Sequence, residues 1–226
     1  MTEVRKRRAR DPQATREVIL EAARTLLAKY GPEALSLSEV AHLAGVNRGT
    51  AYQHFETREK LIQATADWVA DKLFQEVFGD AKTVEERQVE QVDVAGLSDR
   101  LADFAMRNPE LCRIWLLQLL SSPEPEKDPF WREYQGSLER FAQTDHAKPG
   151  IDSEVLSIIM LAGAFLWPVW AQSHAKDQGE QETLRHRFAR ECLRISMHGT
   201  LQGEKYPAIA ARLAEDDPKP GSTRAA

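Results

Sequence analysis

The 226-residue sequence predicts an all-α protein, a small helical head followed by a larger helical body. Three observations carry that expectation. Apolar residues recur at three- and four-residue steps through long segments, the segment ends carry Ser, Asn, Asp or Thr caps and Gly or Pro stops, and no stretch alternates apolar with polar residues as a half-buried strand does. The length allows one large domain or two ordinary ones, and 42% hydrophobic residues beside 29% charged is the profile of a soluble globular chain.

The elements follow in order. Asp11 caps and Pro12 opens a helix running to Tyr30, with Ile19, Ala22, Ala23, Leu26, Leu27 and Tyr30 on its apolar face and Gly31-Pro32 as its stop. Ser36-Leu37-Ser38-Glu39 has the form of a capping box, in which the Ser36 hydroxyl and the Glu39 carboxylate each accept a backbone N–H. The helix it opens runs through Ala44. Gly45 supplies positive φ, and Asn47 caps a further helix to about His54. Thr57 caps a longer helix lasting until Gly79. Residues 81–93 read as a loop or frayed helix. Beyond them come helices over Leu97–Met106, over Leu111–Leu120 after an Asn108-Pro109 cap, and over Phe130–Gln143 after the loop 121–129. The apolar stretch Val155–Ala171 and a last helix from Glu180 to about His198 complete the body. This organises the chain as a basic arm (1–11), a compact head (12–57) with a connecting helix (58–79), a body (80–215) and a disordered tail (216–226).

Taken whole, the net charge of −5 argues against a general nucleic-acid binder. The average conceals a partition: residues 1–60 hold 11 basic and 8 acidic groups, and five of the first ten residues are Arg or Lys. Such an arm can simply be solvated, or it can follow a phosphate backbone. Cys112 and Cys192 lack metal-site spacing, and no apolar segment follows the charged start as in a secretory signal, so a reducing cytoplasmic setting is expected.

The informative segment is Leu35 to Leu61, LSLSEVAHLAGVNRGTAYQHFETREKL. Two short helices joined by a Gly-containing turn describe a helix-turn-helix. In its second helix only Ala51 and Phe55 are plainly inward-facing, which turns Arg48, Thr50, Tyr52, Gln53 and His54 toward solvent or a partner. Gly49 permits close approach to a sugar-phosphate strand, and the Thr50 and Tyr52 hydroxyls suit phosphate oxygens. Arg48 and Gln53 can reach base edges, toward guanine and adenine respectively. Periodicity alone favours the plainer alternative, a helical hairpin with a polar face.

The string AGVNRGTAYQHFETREKL, preceded by SLSEVA and by a helix ending in AKYG, closely resembles the DNA-binding domain of the TetR family of transcriptional regulators over about residues 12–65. The resemblance implies a homodimer whose subunits each have a three-helix head and a helical body for effector binding and dimerisation. Carried over by position, Ser36 and Asn47 cap helices at the DNA surface, Arg48, Gly49, Thr50, Tyr52, Gln53 and His54 form the recognition helix, and Lys60 contacts phosphate. Ala51 and Arg58 depart from the residues common there. The expected partners are an operator duplex and a small apolar or amphipathic effector, with no cofactor and no metal.

For the effector pocket, Trp115, Trp131, Tyr134 and Phe165 are the candidates, although aromatic residues mostly fill cores. The resemblance further implies that the last two long helices pair with their copies, with Leu166, Trp170, Phe188 and Ile195 as interface candidates. The uncharged run Val155–Ala175 is long enough to span a bilayer, but Gln172, Ser173, His174 and Pro168 favour a buried helix over a membrane segment.

Enzyme signatures are missing: there is no GxGxxG, GxxxxGK[ST], GxSxG or HExxH. Ser173 to Lys176 matches SxxK without its companion motifs, and Glu182 with His186 forms a solvated pair one turn apart rather than a closed metal site. The reading is a repressor released by its effector. The alternative is a helical small-molecule-binding protein or enzyme whose head docks protein partners.

Overall fold

The computed structural model describes residues 11–32, 35–80 and 93–215. The arm over 1–10, the stretch 81–92 and the tail 216–226 lie outside the described residues. Over the described chain, residue contacts form two compact units that divide between Val69 and Ala70.

The first unit contains α1 (Pro12–Tyr30), α2 (Leu37–Leu43), α3 (Arg48–His54) and the start of α4 (Arg58–Val77). Each boundary has a local cause. Asp11 Oδ1 accepts from Gln13 N at 2.9 Å, and Pro12 sits where no intrahelical donor is needed. Ser36 Oγ accepts from Glu39 N at 3.2 Å, but the carboxylate does not reach back to the backbone; it takes the Ser36 hydroxyl at 2.9 Å. The Thr57 hydroxyl accepts from Lys60 N at 3.2 Å, opening α4. Ile19, Ala23, Leu27, Val40, Ala51 and Leu61 are fully buried, so this small core draws on all four helices. Arg58 fastens the start of α4 to the preceding loop by donating to the carbonyls of Leu35 and Pro32.

The second unit continues from α4 through α5 (Val94–Arg107), α6 (Pro109–Ser121), α7 (Pro129–Ala142), α8 (Ser153–His174), α9 (Gln178–Gly199) and α10 (Pro207–Glu215). α8 packs on α5, α6, α7 and α9. Trp115 occupies the centre, edge-on to Phe130 at 5.4 Å and to Phe165 at 5.3 Å between ring centroids. Arg212 holds α10 on α5 through a bidentate pair with Asp99 at 2.9 and 3.0 Å. Among the described residues there is no strand, only an isolated bridge between Ala147 and Leu201.

Three elements differ from the sequence expectation. α5 begins at Val94, ahead of the expected Leu97, because Asp93 caps it by accepting from Gly96 N at 2.9 Å. Asn108 does not cap α6; its side chain donates backward to the Phe104 carbonyl at 3.0 Å and closes α5 instead. α10 was not expected at all, its nine residues offering too short an apolar period to stand out. α8 passes the length and hydropathy test for a membrane span, at 22 residues and mean hydropathy 1.7, while Leu161, Ala164, Phe165, Pro168 and Ala171 are buried within the unit.

Candidate nucleic-acid interface

The geometry of α3 starts from the turn before it. Gly45 has φ +63°, Val46 N donates to Ala41 O at 3.0 Å, and Gly45 N donates to His42 O at 3.2 Å, a Schellman closure of α2. The chain then re-enters a helix at Arg48, with Asn47 Oδ1 accepting from Gly49 N at 2.8 Å. That bond commits the Asn47 carbonyl oxygen to the cap.

α3 is seven residues long, and Ala51 is the one residue within it that is buried; Phe55, just past its end, is buried as well. The other side chains face out. Arg48, Gly49 and Gln53 are exposed, Tyr52 is 41% exposed, and Thr50 and His54 are half-buried. The Arg48 guanidinium lies over the Tyr52 ring at 5.5 Å, so the two longest groups of this face lean on each other. Below the same surface Phe55 anchors the helix, covered by the Arg16 guanidinium at 5.2 Å. Ser36, half-buried, is occupied with Glu39. Lys60 is exposed and pairs with Glu56, whose carboxyl that hydrogen bond holds below the usual carboxylate range. The arrangement is thus a rigid, N-capped short helix that spends one side chain on packing and presents the rest as donors and a guanidinium.

Comparison with known proteins bears on this segment. The family described as "Bacterial regulatory proteins, tetR family" matches residues 19–65. Residues 19–65 therefore carry a TetR-family domain. Over this stretch the HTH-type transcriptional regulator TtgR of Pseudomonas putida is 40% identical across 62 residues, which is 27% of this chain and 30% of TtgR. The HTH-type transcriptional repressor KstR2 of Mycolicibacterium smegmatis is 23% identical over 130 residues, 46% of this chain and 63% of the relative. The matches to curated relatives thus span less than two thirds of their lengths. Among solved structures, a gamma-butyrolactone receptor (ArpA-like protein) has a TM-score of 0.60 at 22% identity, covering 91% of this chain and 99% of the other. The SmeT–triclosan complex has a TM-score of 0.58 at 19% identity, covering 85% and 94%. At such identities these two establish the fold.

The second unit holds a partly open cavity of about 180 Å³. Of the four aromatic candidates only Tyr134 lines it. Trp115 (1% exposed), Phe165 (0%) and Trp131 (7%) fill the core instead: Trp115 and Phe165 pack edge to face, and Trp131 is buried in the first turn of α7, where its backbone N–H meets the Asp128 cap. The residues missed by the sequence reading include Leu97 and Leu101 on α5, Met160 on α8 and Cys192 on α9. A readable signal did exist in α7, where Tyr134, Ser137, Leu138 and Phe141 recur at helical spacing and all line the cavity.

The four interface candidates also separate. Leu166 and Trp170 are exposed on α8, continuing a face that carries Val155 and Ile159. Phe188 is half-buried, stacking on Trp167 at 5.6 Å and lining the cavity. Ile195 does both, being 47% exposed and part of the cavity wall. Glu182 and His186 meet at 2.9 Å with Arg185 beside them, and among the described residues no group of three metal-ligating side chains occurs.

Proposed function

We propose that this protein is a DNA-binding transcriptional regulator that acts in the cytoplasm as a homodimeric repressor and is released by a small molecule held in the body. The observation that carries the reading is α3 itself. A helix that buries Ala51 alone while presenting Arg48, Tyr52 and Gln53 has no use as a core element, and its outer face matches what a major groove requires. In this reading Arg48 and Gln53 read base edges, while Gly49, Thr50, Tyr52, His54 and Lys60 follow the sugar-phosphate strand and Ser36 and Asn47 hold the helix starts. Lys60 must exchange Glu56 for a phosphate to do so.

The exposed face of α8, with Ile195 of α9, supports pairing of two copies, and two-fold symmetry then requires a palindromic or near-palindromic operator. The repressor sense is supported by relatives named as repressors. Effector coupling has a covalent route: α4 starts at Arg58 in the first unit and ends at Val77, which lines the cavity of the second. A ligand that binds one position of α4 better than another shifts DNA affinity by that difference.

The test is retention of duplex DNA by the full chain in gel shifts across a salt series. A steep linear fall of log affinity with log salt is expected, because phosphate neutralisation releases counterions. Absence of retention at low ionic strength overturns the proposal and leaves a head that docks protein.

A further inference from the structure

We infer that the body cavity selects a compact, electrically neutral, largely apolar ligand of monocyclic aromatic size that carries one hydrogen-bond acceptor, and that the Tyr134 hydroxyl donates to that acceptor. The inference rests on the effector-site reading above and specifies its chemistry.

Size comes first. A cavity of about 180 Å³ is slightly larger than the roughly 150 Å³ apolar cavities known to take up benzene, so a substituted single ring matches its volume. The walls are supplied by Phe78, Leu97, Leu101, Phe141, Met160 and Leu193, which fixes the ligand as mainly apolar.

Charge comes second. Glu133 and Arg140 also line the cavity, but they cancel: Arg140 Nη2 donates to Glu133 Oε1 at 2.6 Å and to Ser137 Oγ at 3.0 Å, and the Ser137 hydroxyl donates to Glu133 at 2.7 Å. The triangle is closed and neutral. Burial keeps the Tyr134 phenol and the Cys192 thiol protonated, so neither offers a charge. A carboxylate or ammonium entering this space would leave water without meeting a free counter-charge, which is a large cost.

The polar handle is third. Thr200 spends its hydroxyl on the Ser196 carbonyl at 3.0 Å, as Ser137 does on Glu133. Tyr134 makes no side-chain hydrogen bond among the described residues, as is also true of the smaller Ser98 and Ser196 hydroxyls in the wall. Its ring is fixed by stacking on Phe130 at 5.7 Å, which holds the phenol, a half-buried donor, in place. A ligand carbonyl or ether oxygen can accept from that held donor.

The experiment titrates the full-length chain calorimetrically with three probes of similar size: acetophenone, isopropylbenzene and benzoate. The wild-type protein is expected to bind both neutral probes and to take benzoate at least roughly tenfold more weakly than acetophenone. Tyr134→Phe keeps the ring and is expected to weaken acetophenone about fivefold while leaving isopropylbenzene within about twofold. Equal weakening of both neutral probes, benzoate binding as well as acetophenone, or binding of neither neutral probe overturns the inference. Salt-dependent DNA retention, measured on the same preparations, separates it from the reading beneath it. Retention without ligand discrimination rejects only this inference, and discrimination without retention rejects the DNA-binding proposal while this one stands.

Discussion

The indole N–H of Trp115 donates to Asp128 Oδ2 at 2.8 Å, and the other oxygen of that carboxylate accepts from Trp131 N at 2.8 Å to cap α7. One side chain thus satisfies the single polar group of a 1%-exposed tryptophan and fixes the start of the next helix. Asp128→Ala removes the cap, worth about 1 kcal/mol, and strands a buried donor, worth about 1–3 kcal/mol, so a loss of about 2–4 kcal/mol is expected in urea unfolding. Asp128→Asn retains one acceptor oxygen and should lose about half as much. Equal losses would show that the two bonds are not separately important.

Gly45 offers a cleaner backbone test. At φ +63° a Cβ is strained although nothing lies within 4 Å of where it would sit, so the penalty of Gly45→Ala is conformational and not steric. A destabilisation of about 1–2 kcal/mol is expected. Because the Schellman closure aims α3, DNA affinity should fall for all sequences together. A change in sequence preference would mean that Gly45 does more than shape the turn.

How much of this was readable in the sequence depended on how local the cause was. The head was legible because Asp11, Ser36, Gly45, Asn47 and Thr57 each act within four residues of themselves, and the structure finds all of them at helix ends. Asn108 shows where this stops: it sits between two abutting helices, and nothing local distinguishes capping the second from closing the first, which is what it does. The cavity was less legible still. Aromatic identity predicted burial, and Trp115, Trp131 and Phe165 are buried, but a void is set by gaps between α5, α7, α8 and α9, which no single segment encodes. α10 escapes the sequence because its nine residues are too short for an apolar period to stand out, and its holds, Ile209 against Leu193 and Leu201 and Arg212 on Asp99, join residues far apart in the chain or separated by a turn.

The division of labour on α3 and α4 is open to measurement. Arg48→Ala or Gln53→Ala should reduce discrimination between operator and random duplex by about 1–3 kcal/mol, whereas Lys60→Ala should weaken all duplexes alike and lower the salt slope by about one. Since Glu56 holds Lys60 in the free protein, Glu56→Gln should strengthen binding to every sequence. Equal effects of all these variants on operator and random DNA would abolish the split between base readers and phosphate anchors.

The thiols give a pH signature. Burial, with the Glu191 carboxylate adding to it, pushes the Cys192 thiol from 9.0 up to about 11, and burial alone drives Cys112 higher still. The folded chain therefore keeps a proton that the unfolded chain has lost between pH 9.0 and about 11, so Cys192 contributes a loss of stability as pH rises through that window. At pH 8 only about one Cys192 in a thousand is a thiolate, which makes native alkylation by iodoacetamide slow and steeply faster toward pH 10. Cys112 should react only on unfolding. A ligand in the cavity should shield Cys192 further, because that residue lines it. Rapid labelling at pH 8 in native buffer would contradict this account.

The proposed pairing of two copies rests on the exposed face of α8. Val155, Ile159, Leu166 and Trp170 fall on one side of the helix at four- and seven-residue steps, and Ile159 is 60% exposed. In a two-fold pairing each position meets its own neighbourhood from the other copy, so one charge introduced there is introduced twice, in apolar surroundings. Ile159→Glu combined with Leu166→Glu should therefore yield a monomer in sedimentation at micromolar concentration, with helical circular dichroism unchanged because neither side chain belongs to the buried set. Operator affinity should collapse with it, since a lone head grips only one half-site. A double variant that sediments as the wild type does would place the dimer contact on another surface.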